Sequence, residues 1–150
     1  YHLTDAGEEL APIVKAVGVW GKRWAGAPGR EDLDPSLLLW DMHRRVPHEH
    51  LPDTRVVVHF HFTEPRLPHR DFWLLLEPDE VDVCYEDPGM KPDVTVVTDV
   101  GTLTDVWMGD RVLADAMRRD ELELRASPRL RAAFPRWLGL SMFAGEPRVR

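Results

Sequence analysis

Hydrophobic and polar residues alternate along several short stretches in the middle of the chain, a pattern that is typical of half-buried strands. The alternation is strict from Arg55 to Phe62, where Val56, Val58 and Phe60 share one predicted face with Phe62. Segments rich in Gly, Pro and Asp separate this stretch from its neighbours and predict turns. Five strands are predicted, at residues 55–62, 72–76, 81–85, 94–100 and 121–125.

Apolar residues at helical spacing predict helices on either side of these strands. The first helix should begin after Thr4, which suits an N-cap, and Pro12 should kink it. The second should begin at Pro35, because Asp34 can cap it and proline fits the first helical position. Later helices are predicted within residues 102–108, 113–117 and 130–138.

Two of these helices carry more specific predictions. Thr102 followed by Asp105 resembles a capping box at the start of the third helix. The second helix, predicted over residues 37–46, is apolar on much of its circumference, including Leu37 and Trp40. We therefore expect it to be covered on more than one side.

The order of these elements predicts an α+β fold, with a five-stranded, largely antiparallel sheet and helices on one face. Residues 25–29, Ala-Gly-Ala-Pro-Gly, read as a linker by composition. They divide an N-terminal helical segment, residues 1–25, from a domain at about residues 30–146.

Composition narrows the class of protein. A chain of 150 residues with 43% hydrophobic residues can bury a substantial core. No signal peptide is visible and no apolar run approaches the roughly 20 residues of a membrane span, so no membrane partner is expected. The single cysteine, Cys84, forms no intramolecular disulfide and fits a reducing cytoplasm. A net charge of −7 has the wrong sign for a free-standing nucleic-acid binder.

The chain offers no set of residues that predicts catalysis. Cys84 has no evident base beside it, and the three serines examined as nucleophiles fit turns or helix caps. These serines are Ser36, Ser127 and Ser141. There is no phosphate-binding loop or dinucleotide fingerprint. We therefore expect no enzyme and no cofactor.

Five histidines are the residues best suited to a metal ion. His43, His48 and His50 follow the second helix, while His59 and His61 lie on the polar face of the first strand. A zinc site needs ligands held at fixed spacing, usually completed by Cys or carboxylates. Hydrogen-bonded or solvated histidines fit this scattered arrangement better, so no metal site is predicted.

The stretch from residue 94 to residue 143 resembles the C-terminal half of the sterol carrier protein type 2 family, a small α/β fold that binds lipids and other ligands. The resemblance rests on Leu103 to Gly109, Leu113 to Met117, Leu122 with Leu124, and Phe134 to Leu138. With the strands before it, the resemblance covers about residues 34–143. It implies an apolar ligand held between the sheet and the helices.

Two residues depart from the pattern of that family. Asp120 and Ala126 stand where its members usually have glycine. Aspartate tolerates a left-handed turn, whereas alanine does not, so the turn after Leu124 should differ.

Aromatic and methionine side chains are the expected wall of such a cavity, although residues of this kind at helical spacing more often form plain core. The chain has six tryptophans, a high number for its length. The ligand-binding residues predicted on this basis are Trp40, Trp73, Trp107, Met108, Met117, Phe134 and Trp137. Met142 and Phe143 are further candidates.

The N-terminal segment resembles the end of HxlR-type winged helix-turn-helix regulators, in which a last wing strand leads into a helix that pairs subunits. The likeness covers about 24 residues, beginning Tyr1-His-Leu-Thr and including Gly7, Leu10 and Pro12. It implies a homodimer, with DNA bound through an upstream domain absent from this chain. The predicted dimer-interface residues are Leu10, Ile13, Val17, Trp20 and Trp24.

Together these resemblances predict the C-terminal part of a cytoplasmic transcriptional regulator that senses a hydrophobic small molecule. Because the chain starts without methionine and within a motif, we expect it to be a piece of a longer protein. The alternative is a carrier of lipids or hydrophobic metabolites without a role in gene regulation.

Overall fold

The computed structural model describes residues 2–149, so Tyr1 of the predicted N-terminal motif lies outside the described residues. The helices are α1 Asp5–Trp24, α2 Pro35–His43, α3 Val100–Trp107, α4 Leu113–Arg118 and α5 Pro128–Trp137. The strands are β1 Val56–Phe62, β2 Asp71–Leu76, β3 Val81–Cys84, β4 Val94–Thr98 and β5 Leu122–Ala126. Short 3-10 turns lie at Arg30–Asp32 and His48–His50.

The five strands form one sheet in the order β3-β2-β1-β4-β5. The α+β class and the five strands are confirmed, but the prediction of a largely antiparallel sheet is wrong because the sheet is mixed. Strands β1 and β4 run parallel at its centre, with Phe60 opposite Val96. After β3 the chain crosses to the far side of β1 and enters β4 in the direction of β1. Alternation shows which residues share a face, but it does not show which strand lies next to which.

The core fills the space between one face of this sheet and the helices. Val58, Phe60 and Phe62 of β1 point into it, and each is at most 1% exposed. Helices α2, α3 and α5 meet them with side chains that include Leu39, Leu103 and Phe134. The opposite face of the sheet carries the intervening, more polar residues of each strand.

Local capping explains where the helices begin. Thr4 accepts a hydrogen bond from the amide of Gly7, and Asp34 accepts one from the amide of Ser36, as predicted. The prediction that Thr102 caps α3 is wrong. Asp99 is the N-cap, and its carboxylate accepts bonds from both the amide and the hydroxyl of Thr102.

Helix α2 is covered on one side only, which corrects the prediction of cover on two. Leu38, Leu39 and Met42 are buried against the sheet, but Leu37 is 65% exposed and Trp40 is 47% exposed. To bury the whole circumference of α2, a second element would have to pack on its outer side. Helix α1 does not lie there.

A close backbone contact joins the end of α5 to the segment after α2. A Cβ added at Gly139 would lie 1.6 Å from the carbonyl oxygen of Arg45, which no relaxation of a side chain could relieve. The carbonyl of Gly139 also accepts a hydrogen bond from Trp107 Nε1 at 3.0 Å. Glycine is therefore required here to let two backbones touch.

Gly139→Ala should therefore destabilise the protein by about 1–3 kcal/mol, as overpacking of a close contact does. Gly145→Ala is the matched control, since no atom lies within 4 Å of its added Cβ, and it should change stability by less than about 0.5 kcal/mol. Urea unfolding of the wild type and both variants measures the difference. Equal stability of the two variants would contradict the contact.

Candidate functional site

The aromatic residues of α5 lie in the core. Phe134 is 2% exposed and Trp137 is 6% exposed, both within the cluster beneath the sheet. Trp137 also donates a hydrogen bond from Nε1 to the carbonyl oxygen of His50 at 2.7 Å. This bond ties α5 to the loop that precedes β1.

A pocket of about 300 Å³ opens between that loop and α5. Its apolar wall is formed by Leu51, Val56, Leu130, Ala133 and Trp137. The polar rim carries both signs of charge, from Glu49 and Asp53 on the loop and from Arg129 and Arg136 on the helix. Half of the twelve residues that line the pocket are polar or charged, so apolar and polar surfaces meet in it.

The other predicted cavity residues are distributed over separate parts of the surface and core. Trp107 and Met117 are half-buried and pack against the core. Met117 also lines a groove along β5, and Met108 lines a pocket between α3 and the segment after α1. Thus Trp107, Met117, Phe134 and Trp137 share one core, but only Trp137 lines the pocket beside α5.

Trp40 and Trp73 lie elsewhere again. Trp40 is partly exposed on α2, with its ring 4.6 Å from that of His43. Trp73 is 8% exposed, but it lies on the sheet face that points away from the helices and stacks on His59. The spacing along β2 indicated only that Trp73 would be buried, because both faces of that strand are apolar.

Helix α1 presents the predicted dimer-interface residues to solvent. Leu10, Ile13, Val17, Trp20 and Trp24 are each 55–62% exposed. These residues form one stripe along the helix, and nearly every residue from 5 to 17 is exposed on all sides. The N-terminal half of α1 therefore projects from the domain.

The C-terminal half of α1 is held by a buried ion pair that sequence patterns do not reveal. Lys22 is 5% exposed, and its Nζ donates to Asp110 Oδ1 at 2.5 Å and to the carbonyl of Met108 at 3.0 Å. Arg148 also donates to Asp110, and Arg23 donates to Glu146. Lys22 is 88 positions from Asp110 and Arg23 is 123 positions from Glu146, so only the folded chain brings these partners together.

The histidines separate into two groups. His59 Nε2 and His61 Nδ1 each lie 2.8 Å from Asp71 Oδ1, on the sheet face opposite the helices. His43, His48 and His50 are not part of this group. Burial raises the pKa of the Asp71 carboxyl. The hydrogen bonds from His61 and His59 lower this pKa by more than burial raises it, so it lies below its ordinary value. The sequence did not indicate Asp71 as a partner of the histidines, because a loop separates it from His61 and only the register of β1 with β2 brings the two residues together.

Among residues 2–149, no helix is both long and apolar enough to cross a membrane.

The fold is similar to part of an enzyme. The sec-alkylsulfatase Pisa1 from Pseudomonas sp. aligns with a TM-score of 0.58 and 19% identity, over 75% of this chain and 17% of that one. A double mutant of the same enzyme aligns with a TM-score of 0.59 and 18% identity. The chain thus spans about a sixth of the length of these sulfatases.

The fold is also similar to a whole sterol carrier domain. The sterol carrier protein domain 2 of Helicoverpa armigera aligns with a TM-score of 0.53 and 15% identity, over 73% of this chain and 90% of that one. No protein-family model matches the sequence. No curated protein matches it at a significant level.

These comparisons confirm the sterol-carrier-like fold and give no support to the winged-helix part of the prediction. They also contradict the expectation of no enzyme, because the fold is similar to a portion of a sulfatase. Motifs in the sequence could not indicate this, since the likeness lies in the arrangement of strands and helices.

The pair between Lys22 and Asp110 should make stability depend on pH. Burial raises the pKa of Asp110, but hydrogen bonds from Lys22 and Arg148 outweigh it and hold the pKa below its ordinary value. A lowered carboxyl pKa gives stability that is present above about pH 3.9 and is lost as the pH falls through the folded-state value.

Asp110→Asn should cost about 2 kcal/mol at pH 7, and this difference should shrink below about pH 4 as the wild-type carboxyl takes up a proton. The control is Asp115→Asn, which removes an exposed carboxylate paired with Arg118. Chemical unfolding of the three proteins between pH 3 and pH 7 measures both effects. A difference that is independent of pH would contradict the ionised pair.

Proposed function

We propose that the chain is a binding module for a small amphipathic molecule, which it holds in the pocket between α5 and the loop before β1. The observation that carries this proposal is a pocket in which the apolar residues Leu51, Val56, Leu130, Ala133 and Trp137 lie beside charged groups. The sterol-carrier-like fold supports the same function, because the domain from Helicoverpa armigera is named for carrying sterols.

The chemistry of the pocket favours an amphipathic ligand. Its volume of about 300 Å³ lies at the lower end of the range for small-molecule sites. The apolar part of the ligand would replace water against Leu130, Ala133 and Trp137, which supplies the free energy of binding. A polar group at the mouth would meet Arg136 or Asp53, so the rim does not select one sign of charge.

The hydrogen bond between Trp137 and His50 gives the pocket a fixed shape. It joins the floor, on α5, to the loop that forms the opposite wall. A preformed pocket spends less binding energy on ordering the loop. The same pocket would serve a free carrier or a module that holds an apolar substrate for another domain, as the likeness to a portion of an alkylsulfatase favours.

The second part of the proposal is that α1 pairs two copies of the chain. Leu10, Ile13, Val17, Trp20 and Trp24 form a stripe that the rest of the chain leaves exposed. Pairing along a two-fold axis buries the same stripe in both copies. A projecting helix of this length is marginal alone in water, and a partner helix would stabilise it. A regulator of the HxlR type, which pairs through this helix, is a second candidate function on this observation.

Ala133→Trp should fill the pocket and weaken binding of the neutral dye Nile red by at least ~10-fold, which corresponds to about 1.4 kcal/mol. Ala132→Trp is the matched control, because the neighbouring residue faces solvent on the same helix. Fluorescence titration measures binding, and circular dichroism confirms folding. Ala133→Phe, a smaller change, decides the question if the tryptophan variant unfolds.

Dye binding that is equal in the variants at positions 132 and 133 would contradict the pocket. So would a wild-type protein that does not bind the dye. The apolar stripe of α1 also offers a surface to the dye, but neither substitution alters it, so its contribution is the same in all the proteins compared.

Val17→Glu should convert a dimer into a monomer, because it places a charge in the middle of the apolar stripe. The control is Lys15→Glu, which introduces the same residue on the opposite side of α1. Sedimentation equilibrium over a range of concentrations measures the mass. A monomeric wild type, or a variant at position 17 that remains dimeric, would contradict pairing through this helix.

A further inference from the structure

Three polar side chains converge on the face of the sheet that the helices do not cover. His59 and His61 lie two residues apart on β1 and therefore point to the same face. Asp71 stands opposite His61 on β2, which brings its carboxylate between the two imidazole rings. One possible ligand atom from each of His59, His61 and Asp71 lies within 4.8 Å of the other two.

We propose that His59, His61 and Asp71 bind a divalent first-row transition-metal ion. Two imidazole nitrogens and one carboxylate oxygen are ligands that suit Zn²⁺, Fe²⁺, Ni²⁺ and Cu²⁺. Mg²⁺ and Ca²⁺ prefer sites made of oxygen and would be bound poorly. Three protein ligands leave at least one coordination position for water or for a ligand group.

The two nitrogen-to-oxygen distances need little adjustment. Metal–nitrogen and metal–oxygen bonds of about 2.1 Å place neighbouring ligand atoms roughly 3.0–3.4 Å apart. The two nitrogen-to-oxygen distances around Asp71 are each 2.8 Å. An opening of a few tenths of an ångström would bring both of these distances into the range for a bound ion.

The ring nitrogens that face Asp71 can lose their protons to the other nitrogen of the same ring, which leaves the charge of a neutral imidazole unchanged. In the tautomers that carry the proton on His59 Nε2 and on His61 Nδ1, both rings donate to the carboxylate of Asp71. A neutral imidazole can carry its proton on either ring nitrogen. Moving the protons to His59 Nδ1 and His61 Nε2 turns two lone pairs and the carboxylate towards one point.

The surroundings hold the ligands in place. The ring of His59 stacks on Trp73 with centroids 5.0 Å apart and planes 20° from parallel, which restricts its rotation. All three side chains are partly buried, with His59 19% exposed. A groove of about 480 Å³ adjoins Asp71 and Trp73, and it is also lined by His69, Tyr85 and Glu86. Because this groove reaches Asp71, a small molecule in it would lie beside the bound ion.

The test is isothermal titration of the purified, tag-free chain with Zn²⁺, and with Mg²⁺ as the negative control. The wild type should bind one Zn²⁺ per chain. Removing a ligand, by Asp71→Asn or by His61→Ala, should weaken binding by at least ~10-fold. His48→Ala is the matched control, because it deletes an exposed histidine outside the group, and it should leave affinity and stoichiometry unchanged.

Two further measurements separate a specific site from general affinity for metal. Co²⁺ should give visible absorption bands in the wild type and in His48→Ala, but not in Asp71→Asn or His61→Ala. Circular dichroism checks that each variant is folded, and His61→Ala decides the matter if Asp71→Asn is not. Absence of Zn²⁺ binding by the wild type would overturn the proposal. Wild-type affinity in both ligand variants, or equal loss in His48→Ala, would also overturn it.

Discussion

Burial of one face of the sheet is the constraint on which the rest of the structure depends. Strand β1 lies at the centre of the sheet, and alternate residues from Val56 to Phe62 are excluded from water beneath the helices. That requirement places α5 over the start of β1 and so creates the pocket beside Trp137. It also leaves the opposite face to polar side chains, because the strand period of two sends His59 and His61 there. One packing rule thus determines where both candidate sites lie.

Local sequence patterns predicted where the strands and helices lie along the chain, but not how the strands are ordered in the sheet. Alternation placed the five strands within one or two residues, and Asp34 with Pro35 marked the start of α2. Alternation does not show which strands pair when they are far apart in the sequence. It therefore could not show that β4 lies parallel to β1. Trp73 was assigned to the cavity as an aromatic residue, and because β2 is apolar on both faces, only its pairing with β1 shows which face is the core.

In the candidate sites, too, the features that follow from local spacing were predictable, whereas those that depend on distant contacts were not. The shared face of His59 and His61 follows from alternation, but Asp71 joins them through the register of β1 with β2 across an eight-residue loop. The exposed stripe of α1 was visible as helical spacing. The attachment of α1 to the domain was not visible, because nothing in the sequence distinguishes Lys22 from a surface lysine. Only the folded chain buries Lys22 against Asp110 and Met108. The partner of a buried charge is chosen by the tertiary fold, and local sequence carries no record of it.

The attachment of α1 has a mechanical consequence. The helix is fixed near one end, around Lys22, and is surrounded by solvent near the other. Twenty residues of α-helix extend about 30 Å, so a tilt of roughly 10° at the fixed end displaces the free end by about 5 Å. A tilt at the ion pair of Lys22 with Asp110 would therefore be amplified along the helix into a displacement large enough to change how two such helices meet.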